Sequence, residues 1–239
     1  MTLAKRLVAE GLGTALLLAV VIGSGIMGER LAGGNVAIAL LANAVATGAG
    51  LAVLILMFGA ISGAHFNPLV TLSEVWQRNL PSRMAVPYIV IQVTAAFVGV
   101  AIAHMMFGEP VFSTSGHIRT GLDQWWSEFI ATFGLLATII SCSRTRPSIT
   151  PSAVALYITA AYWFTSSTSF ANPAVTLARS ASNTFAGIRP EDAPGFIIAQ
   201  VLGAAVATLV FSWLYPRPPT GTTIAGTVVP REIAGTQAG

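Results

Sequence analysis

Long apolar runs alternate with short polar, turn-forming stretches along most of this sequence. The first run extends from Leu7 to Met27 and contains a single charged residue, Glu10. Five more runs follow, near Val36–Phe58, Met84–Phe107, Trp125–Cys142, Pro151–Thr168 and Pro194–Tyr215. A helix needs about 17–25 apolar residues to cross a bilayer. The pattern therefore predicts an all-α membrane protein with six transmembrane helices.

The composition agrees with this prediction. Charged residues make up 9% of the chain, whereas a soluble domain carries about 25%. The basic start at Lys5 and Arg6 would also fit a cleaved signal peptide. The apolar core of such a signal is usually about 7–15 residues long, and the first run is longer. We therefore interpret this run as the first membrane span.

The distribution of basic residues predicts the orientation. Six spans place both termini on one side, and cytoplasmic termini put eight of the 12 Lys and Arg residues inside. That bias follows the positive-inside rule. We predict a multi-pass protein of the cell inner (plasma) membrane whose basic character reports topology and not nucleic-acid binding. A single channel domain is expected over 1–216, followed by a flexible cytoplasmic tail at 217–239 that is rich in Pro, Gly and Thr.

The two halves of the chain repeat each other. The segment that begins Asn67-Pro-Leu-Val-Thr-Leu shares five of eight residues with the segment that begins Asn172-Pro-Ala-Val-Thr-Leu. Each half, about 6–108 and 124–216, holds three spans. Because three is an odd number, the second half must enter the membrane upside down. Inverted repeats of this kind place their functional site near the midplane, where the halves meet.

Two further anchors repeat in register with these segments. A glutamate precedes each copy in the first span of its half, and a glutamine follows in the last span: Glu10, Glu128, Gln92 and Gln200. Intramembrane carboxylates are costly. We predict that they accept hydrogen bonds from backbone N–H groups that cannot form a helix, and that the glutamines join the same buried networks. A proton relay is the alternative role.

Each Asn-Pro segment predicts a short re-entrant helix. Asn is a strong N-cap and proline suits the first helical turn, but Pro68–Trp76 and Pro173–Ser182 are too short to span a bilayer. By the inverted symmetry, the two helix N-termini meet at mid-membrane, where each carries roughly +0.5 charge. The junction should repel cations, while the amides of Asn67 and Asn172 donate to a passing oxygen.

These arguments select a set of constriction residues at the junction: Asn67, Pro68, Leu69, Asn172, Pro173 and Ala174. His65 is expected to line the pore from the cytoplasmic side. The sequence offers no nucleophile triad, phosphate loop or metal-ligand spacing, so it predicts neither an enzyme nor a cofactor or metal site. The main rival is a secondary transporter, which also uses inverted repeats but should carry ionisable groups at its centre.

The segments Ser62–Pro68 and Phe170–Ala174 resemble the two signature motifs of the major intrinsic protein family, the aquaporins and aquaglyceroporins. The resemblance covers nearly everything from about Arg6 to Pro216. It implies an aquaporin-like six-helix bundle with two half-helices. It also implies one pore per subunit, assembly into a homotetramer in the lipid bilayer, and passage of small neutral solutes.

The sequence departs from the family pattern at two positions. Leu69 replaces a small residue beside the constriction, and Val175 stands where the family usually has a filter arginine. Carrying the family positions over gives a filter of Thr47, Ala160, Ser169 and Val175.

Arg179 lies one helical turn beyond Val175 and is expected either at the pore mouth or as an anchor of the half-helix end. A ring without a fixed charge predicts a permissive, glycerol-type filter. Divergent bacterial members that lack the arginine are associated with neutral metalloids such as arsenous acid, which extends the expected solute class by analogy.

Overall fold

The structure is a computed structural model, and it describes residues 1–215. Within these residues the secondary structure is entirely helical, and no strand is present. The eight α-helices are α1 Leu3–Leu31, α2 Val36–Ser62, α3 Pro68–Trp76, α4 Ala85–Phe107, α5 Leu122–Thr145, α6 Thr150–Phe164, α7 Pro173–Arg179 and α8 Ala193–Leu214. The predicted tail at 217–239 lies outside the described residues.

Five of the six predicted spans are helices long and apolar enough to cross a membrane, namely α1, α2, α4, α5 and α8. The sixth, α6, has 15 residues and is about 22 Å long at 1.5 Å per residue. A 3₁₀ turn at Pro147–Ile149 precedes it directly. The helix ends at Phe164, before the predicted end at Thr168, because Thr165 already adopts an extended backbone.

The helix packing repeats between the two halves. In the first half α1 packs on α2 and α4, and in the second half α5 packs on α6 and α8. The halves meet through α2 and α6, and each short helix also contacts the opposite half, α3 on α8 and α7 on α4. The predicted fold class, an all-α bundle with two additional short helices, is confirmed.

The apolar core consists mainly of two clusters, and each contains a short helix from the opposite half. Val175 of α7 packs among residues of α1 and α4. Leu69 and Val70 of α3 pack among residues of α5, α6 and α8. The two halves are therefore interlocked, because neither core is complete without a helix from the other.

All five tryptophans are exposed and lie near helix ends. They are Trp76 at the end of α3, Trp125 and Trp126 at the start of α5, Trp163 near the end of α6, and Trp213 near the end of α8. Tryptophan is enriched at membrane–water interfaces, where its ring lies at headgroup level. Their placement agrees with helices whose ends reach the two membrane surfaces.

Glycines allow the closest helix contacts at equivalent pairs of the two halves. A Cβ built on Gly99 of α4 would overlap the carbonyl oxygen of Ala15 in α1. A Cβ on Gly203 of α8 would overlap the carbonyl oxygen of Phe129 in α5. Lipid offers no hydrophobic driving force between helices, so close van der Waals packing at small residues contributes much of the stability.

We predict that Gly99→Ala destabilises the protein by about 1–3 kcal/mol, the usual cost of overpacking. Gly59→Ala in α2 is the matched control, because a Cβ at Gly59 meets no atom within 4 Å. The measurement is the thermal unfolding midpoint of purified protein in detergent. Equal midpoints for the two variants would contradict the proposed close contact of α1 and α4.

Candidate functional site

Two extended segments, 63–66 and 168–171, precede the short helices inside the protein. Ala64 and Phe66 have positive φ angles of 51° and 48°, and the equivalent residues Ser169 and Ala171 have 52° and 50°. Residues with a side chain rarely adopt this left-handed region, and each such residue costs on the order of 1–3 kcal/mol. The same unfavourable backbone therefore occurs twice and must be held in place by its surroundings.

Glu10 of α1 holds the first segment. Its buried carboxylate accepts hydrogen bonds from the backbone N–H of His65 at 2.9 Å and of Phe66 at 2.8 Å. It also accepts from Ser62 Oγ at 2.6 Å and from Gln92 Nε2 at 2.8 Å. The carboxylate is thus surrounded by donors, and it fixes the left-handed residue Phe66 directly.

Glu128 of α5 holds the second segment in the same way. It accepts from the backbone N–H of Phe170 at 2.8 Å and of Ala171 at 2.9 Å, and from Gln200 Nε2 at 2.6 Å. Each carboxylate therefore satisfies two consecutive backbone donors that no helix or strand could satisfy. Within the membrane an unsatisfied backbone group costs several kcal/mol.

The two glutamines connect these carboxylates to the short helices. Gln92 Nε2 also lies 3.0 Å from Thr71 Oγ1 in α3, and Gln200 Nε2 lies 2.8 Å from Thr176 Oγ1 in α7. Both glutamines and both threonines are buried. Each half therefore contains one polar network that joins its first helix, its extended segment, its short helix and its last helix.

The two motif asparagines bond reciprocally across the junction of the halves. Asn67 Nδ2 donates to the carbonyl of Ala171, and Asn172 Nδ2 donates to the carbonyl of Phe66, both at 2.8 Å. Each side-chain oxygen caps its own helix by accepting from the N–H two residues ahead. A primary amide has two N–H donors, and within residues 1–215 the second one has no protein acceptor.

A cavity of about 120 Å³ passes this junction and is bordered by both asparagines. It has room for several water molecules. Its walls are mostly apolar side chains of α1, α2, α5 and α6, namely Leu17, Val21, Leu51, Ile55, Leu135, Ile139, Val154 and Ile158. Among residues 1–215 no cluster of three His, Cys, Asp or Glu side chains is placed to hold a metal ion.

His65 borders the cavity beside Asn67. Its Nδ1 lies 3.0 Å from Thr71 Oγ1, and its ring packs at 5.3 Å from the ring of Tyr88. The half-buried imidazole is therefore held by contacts on two sides while it still borders the cavity.

Of the six residues predicted to form the constriction, the two asparagines line the cavity and the other four do not. Pro68 and Pro173 are the first residues of α3 and α7 and are buried in the protein. Leu69 and Ala174 belong to the two apolar clusters. The side chain of Leu69 packs among residues of α5, α6 and α8 and does not line this cavity, so its place in the constriction stays a prediction.

Three of the four predicted filter residues line the cavity, namely Thr47, Ser169 and Val175. Ala160 does not; it is exposed on the outer surface of α6. Tyr162 borders the cavity instead, and its hydroxyl donates to Thr47 Oγ1 at 3.3 Å. Two residues along a helix correspond to about 200° of rotation. Residues 160 and 162 therefore lie on opposite faces of α6.

Arg179 is buried and is not exposed at a pore mouth. Its side chain is 2% exposed, borders the same cavity as Val175, and donates through Nε to the carbonyl of Ala186. The guanidinium carbon lies 3.3 Å from the ring centroid of Phe170. The segment after α7 encloses this arginine, since Ile188 N–H donates back to its carbonyl at 3.4 Å.

Two further residues near this end of the cavity were not predicted. Phe170 lines the cavity, and Arg119, in the segment between α4 and α5, contacts the Phe170 ring without lining the cavity itself. Arg119 Nε donates to the carbonyl of Gly187 at 2.8 Å, and its guanidinium carbon lies 5.2 Å from the Phe170 ring centroid. Desolvation lowers the pKa of Arg119, although the charge of Glu128 opposes this effect. The acceptors of Arg119 are backbone carbonyls, which leave no signal in the sequence.

Comparison with known proteins gives consistent matches. The major intrinsic protein family matches residues 1–166 and 150–238. Aquaglyceroporin AqpS of Rhizobium meliloti is 53% identical over 212 residues, which cover 89% of this chain and 91% of that protein. Aquaporin AqpM of Methanothermobacter marburgensis is 30% identical over 241 residues, covering 89% and 98%.

Among solved structures, the aquaglyceroporin of Plasmodium falciparum has the same fold. It superposes with a TM-score of 0.67 at 22% identity, covering 90% of this chain and 96% of that one.

We predict that Glu10→Gln and Glu128→Gln lower stability and yield. A carboxamide replaces one acceptor oxygen by a donor that faces other donors, and each buried donor left unsatisfied costs about 1–3 kcal/mol. Glu29→Gln is the matched control because Glu29 is exposed on α1 and should change stability by less than about 0.5 kcal/mol. The measurement is thermal unfolding in detergent. A normally stable Glu10→Gln protein would contradict the anchoring role of this carboxylate.

Proposed function

This chain belongs to the major intrinsic protein family, and we propose that its pore admits solutes of glycerol size as well as water. Its relatives are aquaporins and aquaglyceroporins, so it is a passive membrane channel for water and small solutes and not an enzyme. The alternative of a coupled transporter is not favoured, because the matched proteins are channels.

The proposed constriction at mid-membrane is the pair of asparagine amides. Each amide has one N–H fixed by the opposite half and one that is left for a solute oxygen. The N-termini of α3 and α7 add positive dipole ends at the same place. Fixed donors and positive ends favour neutral solutes that carry oxygen acceptors, and they disfavour cations and a continuous chain of proton transfer.

The proposed selectivity filter is the outer part of the cavity, around Thr47, Tyr162, Ser169 and Val175. Val175 supports a permissive filter, because it places an apolar side chain where a long cationic one would narrow the path. Arg179 borders the same space, but its Nε is bonded to Ala186 and its guanidinium lies against Phe170. The filter therefore includes an arginine, and the charged guanidinium of Arg179 lies at the wall of the cavity.

This mixed lining suits a polyol. Val175 and the Phe170 ring offer an apolar side for C–H groups, whereas Thr47, Tyr162 and Arg179 offer hydrogen-bonding groups for hydroxyls. Glycerol, urea and neutral metalloid acids such as arsenous acid are small, uncharged and rich in hydrogen-bonding groups. We include all three in the proposed solute class.

The proposal also includes the assembly and orientation of the channel. We propose a homotetramer in the bacterial inner membrane with both termini in the cytoplasm. The homotetramer rests on the family to which the chain belongs. The inward bias of basic residues supports the orientation.

Stopped-flow measurements on proteoliposomes test this proposal. Wild-type protein should carry water, glycerol, urea and arsenous acid in either direction down a gradient, without dependence on sodium or protonophores. A protein that passes water but none of the larger solutes would contradict the permissive filter.

Val175→Arg should convert the filter to one that favours water. The long side chain of the introduced arginine, with its permanently charged guanidinium, would fill the space beside position 175. We expect glycerol permeability to fall about tenfold more than water permeability, a difference of about 1.4 kcal/mol. Val175→Leu is the control that adds bulk without charge and should change the ratio less. An unchanged glycerol-to-water ratio in Val175→Arg, at equal content of folded protein, would mean that Val175 does not border the filter.

A further inference from the structure

The segment between α4 and α5, residues 108–121, is fastened along the segment that follows α7. Ser113 N–H donates to the carbonyl of Ala181 and Ser115 N–H donates to that of Ser180, both at 3.0 Å. Further along, Arg189 N–H donates to the carbonyl of His117 at 2.7 Å. These backbone bonds give the segment, here called the outer loop, a fixed register beside the outer end of the cavity.

Arg119 lies near the end of the outer loop, and hydrogen bonds fix both its backbone and its side chain. The backbone N–H of Arg119 donates to Asp192 Oδ2 at 2.9 Å. Its side chain points inward and donates to the carbonyls of Gly187 at 2.8 Å, Ser167 at 3.4 Å and Phe185 at 3.5 Å. One guanidinium thus joins the extended segment before α7 to the segment after it, and it satisfies its donors with carbonyl oxygens as a half-buried cation must.

Phe170 belongs to the extended segment before α7, and two cations contact its ring. The guanidinium carbon of Arg179 is 3.3 Å from its ring centroid and that of Arg119 is 5.2 Å away. A third contact comes from Phe196, whose ring meets Phe170 edge to face at 5.1 Å. A guanidinium within about 6 Å of an aromatic face attracts it, so the ring position depends on both arginines.

We propose that Arg119 is a positioning residue for Phe170 and thereby sets the size selectivity of the outer constriction. Phe170 and Arg179 border the cavity, whereas Arg119 does not, so Arg119 acts through the ring. Val175 and the Phe170 ring line the same cavity, so a shift of the ring changes the width of the filter. The inference rests on the proposed function of this filter and names a residue outside the motifs as one of its determinants.

Loss of Arg119 removes one attraction on the ring and vacates space behind it. The ring can then withdraw from the cavity and admit a larger polyol. We expect Arg119→Gln to raise the ratio of erythritol to glycerol permeability at least about threefold, the effect of losing one cation–π contact of ordinary strength. The measurement is stopped-flow swelling of proteoliposomes with equal folded protein.

Three further variants separate positioning from a general loss of structure. Arg30→Gln is the matched control; it removes an arginine that pairs with Glu109 of the outer loop and packs against a different ring, that of Phe107, at 5.4 Å. Its ratio should equal that of the wild type. Phe170→Leu should raise the ratio by itself, and adding Arg119→Gln to Phe170→Leu should change it no further, since the ring through which Arg119 acts is gone.

Three results would overturn the inference: an unchanged ratio in Arg119→Gln, an equal change in Arg30→Gln, or a full effect of Arg119→Gln in the Phe170→Leu background. If Arg119→Gln does not fold, Arg119→Met takes its place, because it keeps a long side chain but removes the cation. An unchanged ratio in Arg119→Met would then reject the proposal.

A wild-type protein that passes water but no glycerol contradicts the proposed function separately. In that case the inference predicts that Arg119→Gln admits glycerol, and its failure to do so would overturn the inference as well.

Discussion

The structure depends on two buried carboxylates that hold non-helical backbone inside a membrane protein. At membrane depth every N–H group needs an internal acceptor, and two N–H groups in each extended segment find theirs on a glutamate of another helix. Glu10 and Glu128 each accept from two consecutive N–H groups of these segments. The left-handed residues Phe66 and Ala171 are held at these bonds. Without them the short helices would have no fixed starting point.

The anchored segments then place each short helix in the core of the opposite half. Val175 packs with α1 and α4, and Val70 packs with α5, α6 and α8. This exchange brings the two helix N-termini together and lets Asn67 and Asn172 bond across the junction. The same bonds that complete the fold also orient the amide donors of the proposed constriction, so in this proposal stability and permeation depend on one set of contacts.

The sequence predicted those site residues that are polar and stand alone in long apolar runs. Glu10 and Asn67 stand out because isolated polar residues in long apolar runs are costly and recur in both halves. It failed where the outcome depended on exact helix rotation or on backbone acceptors. The sequence predicted Ala160 as a filter residue. Ala160 lies two positions from Tyr162, which lines the cavity, and it is therefore on the opposite face of α6. Arg119 could not be found at all, because its partners are carbonyls of distant segments and a ring that no local pattern connects to it.

Replacement of Asn172 by Asp, followed by paired measurements of neutral-solute and proton flux, tests the central claim most directly. Asp keeps the capping oxygen but exchanges the amide donors for a negative charge at the junction. Neutral-solute permeability should fall about tenfold or more, the effect of losing one donor to a solute oxygen, and a proton or cation leak should arise in dye-loaded vesicles. Asn35→Asp, at the exposed N-cap of α2, should change neither flux. Wild-type glycerol flux through Asn172→Asp without a leak would contradict the claim that the paired amides select neutral solutes.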